Sequence, residues 1–274
     1  MVKKSNIIRK KIVVKPAGKR RIQRVESPDS KPNRVRPIVR SVKHQRAVRR
    51  NTKLRDNNRG KVKSGFDWSK VKFHSVKAKW KGETVFIIGG GPSLKNFNFN
   101  SLKSKRTIAI NKAILTYPQA DVAYWSDSRV YSWYKGDIDN FKGDKYTMKP
   151  YGPLTKDIRI LKNCGKIGLE LDPIGIRHGN NSGHAAVNLA YHLGASTIVL
   201  LGFDMRNVGG ESHFHDGYPT RKTRDAVYEK NMIPEFYSIA EDLKKRNVTV
   251  INACPGSALT YFRKMTIKQA LLLS

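Results

Sequence analysis

The sequence predicts an α/β fold built on a mostly parallel sheet. Short β-branched and aromatic runs recur between residues 84 and 252, separated by stretches that read as helix or turn. Strands that alternate with helices need crossover connections, and crossovers make neighbouring strands parallel. Most of these runs also end in a polar or glycine-rich tip: Gly89, Asn111, Asp127, residues 202–204 and Asn252. In a parallel sheet such tips fall on one rim, where ligands bind beyond the carboxyl ends of the strands.

The regular pattern starts late. Of the net charge of +33, residues 1–63 hold 23 basic and 3 acidic residues, a net of +20. The other 211 residues hold 31 basic and 18 acidic ones, so +13. Residues 1–65 are therefore expected to form a basic, largely extended arm, too charged and too poor in apolar residues to bury a core. Residues 66–274 are expected to form one domain. An arm of this kind binds polyanions by counterion release. Nucleic acid or another polyanion, an anionic membrane surface or a protein partner, and a merely solubilising tail are the readings it admits. It lacks aromatics before Phe66, so it would hold phosphates without reading bases. Phe66, Trp68, Val71, Phe73 and Trp80 then form an apolar lead-in that packs the entry of the chain on the fold.

Residues 84–88, TVFII, read as a buried strand and break into Gly89, Gly90 and Gly91, followed by Pro92, Ser93 and Leu94. Consecutive glycines let the backbone approach a ligand, and bare amides there suit phosphate oxygens. Pro92 fits the first turn of a helix, where its missing N–H costs nothing. The same residues also suit a tight turn with no ligand. Residues 94–102 are short and polar. Strands follow at 107–110 and 121–125, with weaker candidates at 159–161 and 167–169. Residues 182–193 read as a helix capped by Ser182, with Ala185, Ala186, Leu189, Ala190 and Leu193 on one face and Gly194 at its end. Residues 197–201, TIVLL, are the clearest buried strand. A helix over 224–246, interrupted near Pro234, and a strand at 248–251 complete the pattern.

Other classes are disfavoured. No apolar run approaches the 18 residues of a membrane span. Cys164 and Cys254 imply no disulfide framework, so a reducing, cytoplasmic setting is expected. There is no G-x-x-x-x-G-K-[ST], and residues 89–94 lack the third glycine of a dinucleotide fingerprint.

The second informative stretch is 212–218, SHFHDGY. Two histidines at i and i+2 point the same way if extended. No paired cysteines or H-E-x-x-H complete a zinc site, so no metal is expected there. His213 or His215 on a loop over the rim suits a general base, with Glu211 or Asp216 to orient it; a polar surface loop is the plainer alternative. His184 and His192, inside the 182–193 helix, read as structural. Arg206, Arg221, Lys222 and Arg224 flank the loop and could neutralise a pyrophosphate.

Five blocks occur in one order: IIGGGPSL at 87–94, Asn111-Lys112-Ala113, NNSGHAAVNLAYHLGASTIVLLGFDM at 180–205, SHFH at 212–215 and INACPGSALTYF at 251–262. Together they resemble the DUF115, or MptE-like, group, whose named member is an archaeal 6-hydroxymethylpterin diphosphokinase. They are also similar to bacterial family 42 sialyltransferases. The resemblance spans 83–262 and excludes the arm. It implies a Rossmann-like α/β fold, with helices on both faces of the sheet, and a nucleotide or nucleotide-sugar ligand. By that likeness Gly89, Gly90, Gly91, Pro92, Ser93 and Asn111 would hold nucleotide phosphates, Ser182 and Gly183 would lie against the nucleotide, and His215 or His213 would be the base. Gly90 stands where the sialyltransferases carry an asparagine, and Tyr218 is the candidate for their phosphate-gripping tyrosines. A sialyltransferase-like glycosyl transfer needs no cofactor beyond its donor. The diphosphokinase reading needs ATP and magnesium, with Asp127 and Asp204 as carboxylate contacts. A non-catalytic, nucleic-acid-associated protein with a degenerate transferase domain is the third expectation.

Overall fold

The computed structural model describes residues 71–149, 157–219 and 222–273. The arm expected over 1–65, together with Phe66 and Trp68, lies outside the described residues, as does Arg221. The described residues belong to one unit, Val62–Ser274.

The strands, in chain order, are β1 (Thr84–Ile88), β2 (Arg106–Ile110), β3 (Val122–Trp125), β4 (Asp144–Thr147), β5 (Ile158–Ile160), β6 (Lys162–Asn163), β7 (Gly175–Ile176), β8 (Thr197–Leu201), β9 (Thr249–Asn252) and β10 (Arg263–Lys264). Eight of them form one sheet in the order β10-β9-β8-β1-β2-β3-β4-β5, with every neighbouring pair parallel. β6 and β7 pair apart from it. The central strands are apolar along their whole length because both faces of a parallel sheet are covered. Val85, Ile87, Ile108, Val122, Ile198 and Leu200 face one core, which is closed by the helices Ser182–His192 and Phe236–Lys244. Phe86, Ile88, Ala109, Ala123, Trp125, Val199 and Leu201 face the other, closed by the short helices Ala113–Thr116, Ser128–Trp133, Lys135–Asn140 and Ile267–Ala270. The Rossmann-like α/β expectation is met, with helices on both faces.

From β1 the chain steps outward through β2, β3, β4 and β5. It then returns through the helix Ser182–His192 and places β8 on the other side of β1. Connections leave β1 and β8 in opposite directions, so the crevice between their carboxyl ends is a topological switch point.

The lead-in ends on Trp80, which is buried and whose N–H donates to the Leu193 carbonyl (2.7 Å). Three elements differ from expectation. The helix Ser182–His192 is capped by Asn181, whose side chain accepts the His184 N–H, and Ser182 is its first residue. Every residue in it except Tyr191 is buried, so it has no polar face; its small side chains let the sheet and the helix Phe236–Lys244 close on both sides. Residues 167–169 form no strand, because the Gly168 and Leu169 amides donate to the side chains of Ser238 and Asp242. The expected helix over 224–246 is four short pieces: Asp225–Val227, a π-turn Tyr228–Met232, a 3₁₀ turn Ile233–Glu235 and Phe236–Lys244. Pro234 has no N–H to give a continuous helix. No described helix is long and apolar enough to cross a membrane.

His184 is fully buried, with Nδ1 3.2 Å from the Arg177 carbonyl and its ring 5.5 Å from that of Phe236. Burial pushes its pKa down to about 4 from an ordinary 6.5. The unfolded chain therefore binds a proton that the folded one refuses, and folding loses stability as pH falls through that interval. Melting temperature is expected to be flat above about pH 6.5 and to fall towards pH 4; a His184→Leu variant should show a shallower fall over the same range in a thermal melt series.

Candidate functional site

Pairing of β1 with β8 continues past the strand ends. The Gly89 N–H donates to Leu201 O and the Gly91 N–H to Gly202 O, both at 2.8 Å. The Ser93 hydroxyl donates to Asp204 Oδ2 (2.7 Å), and the Ser93 N–H lies 3.3 Å from both carboxylate oxygens. The turn therefore does not present a row of open amides: three of its four N–H groups are held inside the protein, and Gly90's is the one without a partner among the described residues. Asp204 sits at the start of the 3₁₀ turn Pro92–Leu94, where a ligand anion would otherwise be favoured.

Each glycine has its own reason. A Cβ at Gly89 would lie 2.8 Å from Gly202 O, and one at Gly91 would lie 2.0 Å from Asp204 Oδ2 and 2.5 Å from Gly202 O. A Cβ at Gly90 would meet no backbone atom; it would meet the His213 ring at 3.0 Å and the His215 ring at 3.4 Å.

A cavity of about 520 Å³ runs along this rim, within the size range of small-molecule sites. Gly89, Gly90, Gly91, Asn111, Asp127, Ser182, Gly183, Asp204 and His213 line it, as does Tyr218. Pro92, Ser93 and His215 do not; they lie behind the lining. The sequence reading missed Ser126, Arg129, Trp133, His178, Asn180, Asn181, Met205, Thr223, Tyr228 and Met232 of the wall. Ser126 and Arg129 flank the Asp127 tip and were legible. Asn180, Asn181 and Met205 flank Ser182 and Asp204 and were legible in the same way; Trp133, His178, Thr223, Tyr228 and Met232 reach the cavity from separate segments and carry no local signal.

The tips are cross-linked by one hydroxyl. Ser182 Oγ donates to Asn111 Oδ1 (3.1 Å) and accepts the Ser126 N–H (3.3 Å), which ties the ends of β2 and β3 to the first turn of the helix Ser182–His192. Asn111 holds a left-handed backbone (φ 53°), which asparagine tolerates better than most residues. The N-terminus of this eleven-residue helix faces the cavity, so its partial positive charge points inward. Asp127 caps the helix Ser128–Trp133 and pairs with Arg129 (2.6 Å). Burial raises the Asp127 pKa, but the Arg129 hydrogen bonds and charge outweigh it and hold the carboxyl below its usual range. The Arg129 guanidinium also lies 5.1 Å from the Trp133 ring centre.

The histidine loop closes the glycine end. Its Phe214 N–H donates to Gly90 O (2.9 Å), and Lys112 pairs with Asp216 and donates to Gly217 O (3.0 Å). The Tyr218 hydroxyl accepts the Lys112 N–H (3.3 Å), and burial pushes the Tyr218 pKa up to about 12. Neither expected carboxylate orients an imidazole through a hydrogen bond: Glu211 pairs with Lys222, and Asp216 with Lys112. Ser212 Oγ instead meets His213 Nδ1 at 2.8 Å. Burial, followed by repulsion from Lys112, lowers the His213 pKa; burial, followed by His213 and Lys112, pushes His215 down to about 4. Among the described residues no group of three or more His, Cys, Asp or Glu is placed to hold a metal ion, and Asp127 and Asp204 are each bonded within the protein.

No family model matches the chain, and no curated protein matches it. Among solved structures, it is similar to the MAf glycosyltransferase from Magnetospirillum magneticum AMB-1, with a TM-score of 0.52 and 14% identity over 74% of this chain and 36% of that one. The chain thus spans about a third of that protein's length. It also matches the sialyltransferase CstII from Campylobacter jejuni, solved in complex with a substrate analogue, cytidine-5'-monophosphate, with a TM-score of 0.44 and 17% identity over 71% and 88% of the two chains. The first likeness is one of fold: the domain shares an α/β fold with part of that protein.

Gly89→Ala and Gly91→Ala are expected to destabilise the fold by about 2 kcal/mol or more, because the new methyl meets backbone or the Asp204 carboxylate. Gly90→Ala should leave stability within about 1 kcal/mol while displacing the two imidazoles. Chemical denaturation of the three variants checks the first part, and histidine ring proton shifts the second.

Proposed function

We propose that the chain is a transferase that uses a nucleotide-activated donor, most simply a glycosyltransferase of the sialyltransferase-like kind, with a loop histidine as general base. One observation carries the reading: an imidazole whose pKa is lowered by burial and Lys112 lies against the glycine turn, inside the crevice where the strand order of an open parallel sheet reverses.

The donor's phosphates would lie along the first turn of the helix Ser182–His192, near Asn111, Ser182 and Gly183, with Gly89–Gly91 as a floor close enough for main-chain contact. The nucleoside would extend towards Ser126, Asp127 and Trp133. The acceptor hydroxyl would lie beside the histidine. There the imidazole takes the hydroxyl proton, the oxygen bonds to the donor's sugar carbon, and the bond from that carbon to the phosphate oxygen breaks. The nucleotide leaves with that electron pair, and the guanidinium of Arg206 and the helix N-terminus stabilise its charge. This route uses no metal. A pterin-type diphosphokinase would instead need ATP and magnesium at the same crevice. The net charge of +20 in residues 1–63 supports a polyanionic acceptor or assembly, nucleic acid among them, held by the arm.

A thermal-shift panel of nucleotides and nucleotide sugars tests the reading. A ligand at a hundredfold its Kd adds about 2.7 kcal/mol to stability, so one nucleotide sugar and its nucleotide should raise the melting temperature by several degrees. Release of CMP or UDP without added metal is the expected product assay; magnesium-dependent release of AMP from ATP would select the diphosphokinase instead, and no shift with any nucleotide would sink both. For the arm, filter binding of DNA and RNA at rising salt should weaken steeply in the full chain and be largely lost on deletion of residues 1–65.

A further inference from the structure

The transferase reading leaves two adjacent histidines for one base. We infer that they divide the work: His213 is the catalytic base, and His215 is a positioning residue, locked as a neutral ring against which His213 is held. The inference rests on the transferase reading for the word base, and on geometry alone for the division.

The geometry starts at His215. Its Nδ1 lies 3.0 Å from the Gly217 N–H, and a backbone N–H can only donate. Nδ1 is therefore the acceptor, and the ring's single proton is on Nε2. Nε2 is itself enclosed and has no hydrogen-bond partner among the described residues. A second proton would have to enter at Nδ1, directly opposite the Gly217 N–H. His215 also does not reach the cavity wall. It has neither a free lone pair nor access to a substrate.

His213 has both. It lines the cavity, and its Nδ1 meets Ser212 Oγ at 2.8 Å. The tautomer sets the direction of that contact; we assign the proton to Nδ1, donated to the buried hydroxyl, which leaves the Nε2 lone pair free to accept from a substrate. The two rings are stacked at 4.8 Å with 16° between their planes, and the Tyr218 ring stands edge-on to both, at 5.0 Å and 5.2 Å. Gly90 supplies the fourth side, since the rings occupy the space that its side chain would take. The charged groups around the pair are Lys112, Asp216, Glu211 and Lys222, joined as Lys112–Asp216 and Lys222–Glu211. No carboxylate is thus left to hold a proton on the stack. In the transfer step the acceptor's O–H proton goes to His213 Nε2 as the oxygen bonds to the donor carbon and the nucleotide leaves; the imidazolium then returns the proton to solvent.

Long-range proton–nitrogen spectra of the ¹⁵N-histidine-labelled full chain test the division without a substrate. Between pH 8 and 5, His215 should stay in the Nε2–H form, and at pH 8 His213 should be in the Nδ1–H form. His215 in the Nδ1–H form, or titrating near its ordinary pKa, overturns it. With a donor in hand, His213→Gln should lower kcat by about 10²-fold or more. His215→Ala should lower it by roughly tenfold to a hundredfold by releasing the stack, and His215→Phe should restore most of that loss without moving the acid limb of the pH profile. A silent His213→Gln with a dead His215→Phe overturns the assignment and leaves the transferase reading standing. The expected spectra in a chain that transfers nothing remove the base role together with that reading.

Discussion

The site depends on how closely the β1 and β8 main chains run after their strands have ended. In most parallel sheets two neighbouring strands diverge once they leave the sheet, particularly at a switch point. Here they stay paired through Gly89 and Gly91, whose amides reach Leu201 and Gly202 at 2.8 Å. That spacing excludes a β-carbon at either position. It also brings Asp204 under the turn, where Ser93 holds it through hydroxyl and amide. The crevice floor is thus main chain, fixed by its own hydrogen bonds, and everything above it is positioned relative to a rigid reference.

The walls use that reference in turn. The histidine loop attaches to the floor through the Phe214 N–H and Gly90 O bond, and to the β2 tip through Lys112. The β2 and β3 tips attach to the helix Ser182–His192 through the Ser182 hydroxyl. A loop rich in left-handed glycines (Gly209, Gly210 and Gly217) would not by itself hold two imidazoles in one place. Its two anchors, on the glycine turn and on the β2 tip, do so.

Much of this was legible in the sequence, for reasons that differ by residue. β1, β2, β3, β8 and β9 announce themselves because strands buried on both faces are unbroken apolar runs. β4, with Asp144 and Lys145, does not: Lys145 is buried yet keeps its ammonium paired with Asp157, a contact 12 residues away that local pattern cannot foresee. The glycine turn was readable as a close approach, but not as an approach to its own neighbour. Free and bonded amides look the same in a sequence, and only the pairing of β1 with β8 decides between them. Ser182 read as a helix cap, by a sound rule; Asn181 took the cap and released the hydroxyl for the rim. Trp133, His178 and Tyr228 were not readable, since they meet only because three distant segments end on one cavity.

The charge balance of the crevice follows from these same bonds. Its two carboxylates are both engaged: Asp204 by Ser93 and Asp127 by Arg129. Arg129 and Arg206 line the same space beside those two carboxylates, so the side-chain charges of the lining balance and the field of the helix N-terminus is what is left to draw an anion. That field has a cost for a base, because positive surroundings and burial both push an imidazole pKa down and weaken its pull on a proton. A phosphate ligand reverses the sign: a negative charge near His213 opposes Lys112 and raises the imidazole's affinity for a proton only once the donor is in place. On the transferase reading, a base that is weak in the empty crevice and stronger beside a bound phosphate needs no moving part, only the negative charge that the donor brings.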